Sequence, residues 1–597
     1  MATFSNLRAL HALIGDALDD VERIFVSCQP SVHSPTGSES SDGTQSLLSP
    51  SASEDEELNR IPLDFPSLDG PYDPHSPAEA LLSHPAVVHA TKLIVSATGQ
   101  LAAMVQRPFL TICDATMGYH LPSCMRFLEA SHVVEIMRET GPAGLHIREL
   151  AARADCDPNK LGHILRLLAT HHIGTEVSPN VFANNRLSSF IDSGKDFNVI
   201  KSNPADKYEG TNGIAAYVGM CTDELFKSSA YLTDAYLLND ISKHSTLTSA
   251  APFNLAFGTK GQFFNWLDEE GNEMRLKRFG HAMTGTAGYE DGGSITFQGF
   301  DWGALGKGSL IVDVGGGIGS TSMTLAKAFP HLRFCIQDRP KTVELGILAW
   351  KERCPERLDS GEVVFQAHDF FTPQPIRNAA VFLLRVITHD WPDEFVTRIL
   401  LQLRNAATPQ TKLILVDYVL PFACEDRTGD IGAVRTMAPP SSGLLPNLGK
   451  ANANAFWLDM TMHVTFNSKE RTLREMTDIA LSAGWQVVEV IRKPEGSPFG
   501  SIIAVPTSVP PSTALLSSLA EQEIIERAGS PVGDTFYSRT QLPSRGTTME
   551  MNQSDSAVRR MTKRLRKTIS RTFSRGGQGG EVGEEKRKPP MAKSASD

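Results

Sequence analysis

The stretch Leu310-Ile-Val-Asp-Val-Gly-Gly-Gly-Ile-Gly-Ser320 carries an apolar segment into four glycines, Gly315, Gly316, Gly317 and Gly319. The segment from Thr321 to Phe329 that follows reads as helical. A buried strand, a turn without side chains and a helix start form a unit in which backbone approaches a nucleotide-like ligand closely. Such a unit predicts an α/β fold with a doubly wound sheet.

The spacing selects among ligands. A dinucleotide fingerprint reads G-x-G-x-x-G and grips a pyrophosphate at the helix N-terminus. Here the third position is Ser320, and Asp313 sits two residues before the first glycine. A carboxylate there repels a pyrophosphate and suits a ligand with cationic groups. S-adenosylmethionine carries a sulfonium and an ammonium and no phosphate. A tight strand-helix turn without a ligand is the plain alternative.

Two further strands end in acids. Leu332-Arg-Phe-Cys-Ile-Gln-Asp338 places Asp338 about 20 residues beyond the glycines, where this fold sets a carboxylate for ribose hydroxyls. Glu362 to Phe371 reads as a third strand ending at Asp369 and Phe370, suited to an adenine amino group and ring. A lone Asp at a strand end is commonly a turn residue; three at successive strand ends are a pattern.

A fourth strand runs Ala380-Val-Phe-Leu-Leu-Arg-Val-Ile-Thr-His-Asp-Trp-Pro-Asp-Glu394. Arg385, His389-Asp390-Trp391 and Asp393-Glu394 resemble the fourth-strand motif of O-methyltransferases acting on plant phenolics and fungal polyketides. Asn467-Ser-Lys-Glu-Arg-Thr472, Ala483-Gly484-Trp485 and Ala251 to Phe257 agree with it, and the similarity runs from about residue 80 to about residue 505. The resemblance implies S-adenosylmethionine as donor, held by Asp313, Gly315, Gly317, Asp338, Asp369, Phe370 and Arg385. It implies His389 as general base with Asp417 and Glu470 as flanking carboxylates. Plant members carry Glu at the first of these positions; Asp417 is one methylene shorter, which leaves its contact with His389 less secure than that of Glu470. No metal is implied, and the 17 histidines show no ligand spacing.

A phenol has a pKa near ~10 and an ordinary histidine near ~6.5, a gap of roughly 3.5 units. Proton removal by such a base is expected to accompany attack on the methyl group rather than precede it. Without the surrounding motif, His389 would read as a structural strand-end histidine.

Composition narrows the setting. With 597 residues, more than one domain is expected. The eight cysteines form no C-x-x-C pair and fit a reducing compartment. Asp16, Asp19 and Asp20 argue against a secretory signal, and no apolar run reaches the length of a membrane span. A cytoplasmic protein is expected. The net charge of −11 argues against a nucleic-acid binder.

Leu7, Leu10, Ile14, Leu18, Val21 and Ile24 share one face of an expected helix within residues 1–28. Residues 29–75 are Ser- and Pro-rich and read as a flexible linker. Within 76–245, Cys124 to Arg138 reads as a helix, Ile147 to Arg153 and Pro158 to Thr170 as two more, and Glu176 to Leu187 as a hairpin. That is a winged-helix outline. The apolar Lys160–Thr170 segment is too poor in basic residues to be a recognition helix, and the resembled family uses this domain to make a homodimer.

Residues 246–505 are expected to form the catalytic domain, a Rossmann-like doubly wound methyltransferase sheet. A loop at 422–455 is longer than the family norm and reads as acceptor-site border or tolerated insertion. The acceptor, an aromatic small molecule, has candidate contacts in Phe253, Phe264, Trp266, Met283, Trp457, Met460, Met462 and His463, many of which equally suit a core. The tail 506–597 contains a basic amphipathic segment at 558–575, open to membrane-surface contact, nuclear targeting or plain disorder. The rival functions are methyl transfer to nitrogen or another acceptor, and an inactive winged-helix scaffold.

Overall fold

The computed structural model describes residues 3–27, 63–240, 242–290, 296, 298–426, 443–492 and 499–511, all within one compact unit. Most of the 29–75 linker, the centre of the 422–455 loop and the tail with its basic segment lie outside the described residues.

A small antiparallel sheet comes first along the chain: β1 (Leu145–His146), β2 (Thr175–Ser178) and β3 (Val181–Ala183), in the order β1-β3-β2. Helices Ile147–Arg153 and Pro158–Thr170 pack beside it. The second begins on Asp157, whose carboxylate accepts from the N–H groups of Asn159 and Lys160. It buries Leu161, Leu165 and Leu168, so its apolar face is spent inside the protein.

The stretch Cys124 to Arg138 is two helices rather than one. His120–Ala130 and Val133–Arg138 are broken at His132, which has φ 58°. The Lys207 ammonium, bonded to the Glu129 carbonyl at 2.5 Å and beside His132 Nδ1 at 3.1 Å, occupies the break. The terminal helix Thr3–Ser27 packs on helix Pro85–Val105 through Ala17, Val21 and Phe25, while Leu18 points to solvent. The buried stripe is therefore rotated from the one the spacing suggests, because Ala17 and Phe25 fit the neighbouring helix.

The main sheet has seven strands: β4 (Leu310–Val314), β5 (Arg333–Asp338), β6 (Val363–Ala367), β7 (Val381–Arg385), β8 (Lys412–Tyr418), β9 (Trp485–Arg492) and β10 (Phe499–Pro506). Their order is β6-β5-β4-β7-β8-β10-β9, with β10 antiparallel to both neighbours and the others parallel. Ile311, Val312 and Val314 in β4 and Val381 to Leu384 in β7 are fully buried, as strands covered on both faces require. Helix Asp393–Ala406 buries Val396, Ile399, Leu400 and Leu403 on one face of the sheet, and opens with Asp393 and Glu394 at its positive end. Chain order reverses between β4 and β7, which opens a crevice at the carboxyl ends of these strands. No helix among the described residues is long and apolar enough to cross a membrane.

Candidate active site

A cavity of about 2400 Å³ lies over that crevice. One end is walled by the glycine turn and the ends of β5, β6 and β7; the other by helices Glu273–Glu290 and Ala453–Phe466 and by residues of the helical region.

The first end is built by the turn. Gly315 has φ 73° and Gly317 has φ 61°, a region open to glycine at little cost. A Cβ on Gly315 would stand 2.6 Å from Ile387 Cδ1, so a side chain there collides with the segment that leads from β7 to His389. The Gly317 N–H donates to Asp338 Oδ2 at 2.9 Å, tying β5 to the turn. Asp313 is folded beneath Gly316 and accepts from the Ser322 hydroxyl at 2.6 Å. Burial, offset by that hydrogen bond, pushes its carboxyl up to about 6. Asp369 and Phe370 line the same end. Arg385, at the end of β7, stacks over the Phe499 ring at 5.5 Å, and its buried Nε finds no acceptor among the described residues. The glycine cradle, the acid Asp338 and the orphaned Arg385 donor suit a ligand with a ribose, a base and a carboxylate, which S-adenosylmethionine has.

His389 lies just beyond. Val386 leaves β7 with φ 56°, a left-handed conformation that a β-branched residue holds at a cost of about 1–3 kcal/mol. The chain then enters a short 3-10 turn, Thr388–Asp390. His389, nearly buried, sets Nδ1 2.6 Å from Glu470 Oε1. Its Nε2 is 3.5 Å from Asp390 Oδ1, and both residues line the cavity. Burial by itself lowers the proton affinity of His389; the carboxylates of Glu470, Asp390 and Asp417 outweigh it and raise the group to about 10. Burial likewise lifts Asp390 to about 7 against the pull of His389.

Two expectations change here. Asp417 accepts from Thr388 Oγ1 at 2.5 Å, and no hydrogen bond joins it to His389. At the end of β8 the shorter Asp side chain meets the nearer hydroxyl, and its influence on the imidazole is through space alone. His389 is also not an ordinary histidine. Three carboxylates around one ring hold its proton far above the ~6.5 of an unperturbed imidazole.

Of the acceptor candidates, Phe264, Met283, Trp457 and Met462 line the cavity. Phe253 and Trp266 are core, packed with Phe263, Leu267 and Phe466. Met460 and His463 are not in the wall. Met125, Met220, Cys221 and Leu225, from the helical region, complete it, and no local pattern marks them.

The 4-O-methyltransferase 1 of Phanerochaete chrysosporium is 39% identical over 439 residues, 73% of this chain and 92% of that relative. This chain belongs to the O-methyltransferase family. Residues 235–486 match the family's O-methyltransferase domain. An O-methyltransferase of Armillaria gallica is 40% identical over 417 residues, 69% of this chain and 88% of its own. The crystal structure of OxaC shares the fold at TM-score 0.55 and 20% identity, covering 72% of this chain and 96% of OxaC. A pericyclic reaction enzyme also shares it, at TM-score 0.52, 18% identity and 72% and 98% coverage, so the fold alone does not specify methyl transfer. The sequence relatives do, and this O-methyltransferase uses S-adenosylmethionine.

Proposed function

We propose that this O-methyltransferase acts on a hydroxyl of an aromatic small molecule of phenolic or polyketide type, with His389 as general base. The short contact between His389 Nδ1 and Glu470 Oε1 carries the reading. It fixes the ring and leaves the Nε2 edge for the cavity that His389 lines.

Bound S-adenosylmethionine supplies an electrophilic methyl group on a sulfonium sulfur. Asp313, the glycine turn, Asp338, Asp369, Phe370 and Arg385, which line one end of the cavity, would hold it. His389 takes the acceptor's hydroxyl proton at Nε2 as the oxygen attacks, and Glu470 stabilises the resulting imidazolium. With His389 raised to about 10, the transfer from a phenol of pKa near ~10 is close to balanced. The resting imidazolium must first shed one proton. Neutral His389 with phenol and imidazolium with phenolate hold the same number of protons, so either route requires that loss. Flat acceptors suit the walls offered by Phe264, Trp457, Met283 and Met462.

Helix Pro108–Met117 has no buried residue, and Phe109 and Ile112 are 74% and 59% exposed. That exposure supports a winged-helix domain that pairs with a second copy. The seven described cysteines are free thiols, which supports a cytosolic setting.

His389→Ala should bind donor normally in calorimetry and lose turnover by about 10²- to 10⁴-fold. Retained full activity on a panel of phenols and polyketides would rule out the base, and activity confined to amines would rule out the acceptor class.

A further inference from the structure

Arg471 stands next in sequence to Glu470 and reaches the backbone of the same turn rather than the His389 ring. It is 1% exposed, among the largest fully buried side chains described. Its Nη1 donates to the Thr388 carbonyl at 2.7 Å and its Nη2 to the Trp391 carbonyl at 2.6 Å. These two carbonyls bracket His389. Nε and Nη2 both reach Asp393 Oδ1, at 2.9 and 2.8 Å, which supplies the counter-charge at the start of the next helix. The Arg471 backbone is itself pinned: its carbonyl accepts from the Leu420 N–H at 2.9 Å, and Arg471 pairs with Val419 beyond the end of β8.

We propose that Arg471 is a positioning residue that clamps the Thr388–Trp391 turn and so sets the His389–Glu470 contact. The inference rests on the reading of His389 as base. Beside the Thr388–Asp417 contact the turn gains from a further hold, because Val386 enters it in a strained left-handed conformation and its own backbone bonds are long, 3.2 Å from the Asp390 N–H to the Ile387 carbonyl and 3.4 Å from the Trp391 N–H to the Thr388 carbonyl. The planar fork of Arg471 spans two carbonyls and a carboxylate at once; a lysine ammonium offers a point charge and no such fork. Because Glu470 and Arg471 are consecutive, the ring of His389 and the backbone on either side of it are held by one short rigid segment. A shift of that segment moves the base and its partner together relative to the donor.

The test uses the full chain with Arg471→Ala, Arg471→Lys and Asp393→Asn. Arg471→Ala is expected to lower kcat by about 10²-fold, the effect of an ångström-scale misplacement, with donor affinity in calorimetry unchanged. The acid limb of its kcat/KM–pH profile should move down as the contact with Glu470 loosens. Arg471→Lys should recover fold and not kcat. The low-field proton resonance expected of the short His389–Glu470 hydrogen bond should be lost or move upfield in Arg471→Ala. Asp393→Asn, which keeps the guanidinium and weakens its anchor, should shift the same readouts in the same direction by less, and it decides the matter if Arg471→Ala does not fold. Unchanged kcat, acid limb and proton resonance in folded variants, with only thermal stability reduced, would overturn the proposal. Turnover surviving in His389→Ala would instead sink the base assignment, while the proton resonance would still report whether Arg471 sets the contact.

Discussion

The hydroxyl of Thr388 donates to Asp417 Oδ2 at 2.5 Å, so the carboxylate at the end of β8 holds the neighbour of His389 rather than its ring. The two carboxylates that the family motif sets beside His389 therefore have different partners. Glu470 touches the imidazole; Asp417 shapes the turn and adds field.

Asp417→Asn should accordingly be mild. The amide oxygen still accepts from Thr388, and one through-space charge is lost. We expect kcat to fall by less than about tenfold, the smaller end of what a general base's environment contributes. Steady-state kinetics beside Glu470→Gln would show it; equal, large losses in both variants would return Asp417 to direct contact.

Glu470→Gln removes the leading charge that raises His389. Burial is then opposed only by Asp390 and Asp417, and the group falls below its wild-type value. In the wild type, kcat/KM should keep rising with pH well above neutrality, toward a limb near the His389 value of about 10. The variant's limb should lie at lower pH, with a maximal rate reduced by about 10- to 100-fold. A wild-type limb near pH 6.5 would contradict the raised proton affinity.

The same shift enters stability. The folded value of His389 is raised above its unfolded ~6.5, so its contribution is fully present below about pH 6.5 and lost as pH rises through about 10. The melting-temperature gap between wild type and His389→Asn should narrow from pH 7 to pH 10. A constant gap would mean that the imidazolium gains nothing from the surrounding carboxylates.

At the donor end, Asp338→Ala removes the acceptor of the Gly317 N–H and the expected ribose partner. Donor affinity should weaken on the order of 10- to 100-fold, as for a lost hydrogen bond to a charged group. Gly315→Ala should also weaken it, because the new methyl meets Ile387 and the backbone sits at φ 73°. Calorimetric titration with S-adenosylmethionine reads both, and unchanged affinity would remove these residues from the site.

Phe109→Asp combined with Ile112→Asp should leave the fold intact, since neither side chain is buried. Light scattering should then report a monomer if helix Pro108–Met117 forms the contact between copies. A dimer that survives would move the interface elsewhere.

The local sequence determined the strands, the glycine turn and the residue types at the strand ends, because these follow from short-range rules: apolar runs bury, glycines bend, acids sit where strands stop. Asp313, Asp338 and Asp369 were legible for that reason, and Arg385 and Glu470 through the motifs around them. The partnerships were not legible. Asp417 reaches Thr388 instead of His389 because of a one-methylene difference judged against backbone positions 29 residues apart. Arg471 finds two carbonyls 80 and 83 residues away in sequence, a geometry with no periodic signature. The basicity of His389 depends on how many buried carboxylates converge on one ring, which is a property of packing and dielectric rather than of any segment. Likewise Phe253 and Trp266 went to the core while Phe264 and Trp457 lined the cavity, since an aromatic residue's place is decided by what packs against it. Sequence alone set the chemistry available at each position; the tertiary structure decided which groups meet, and so which of them act.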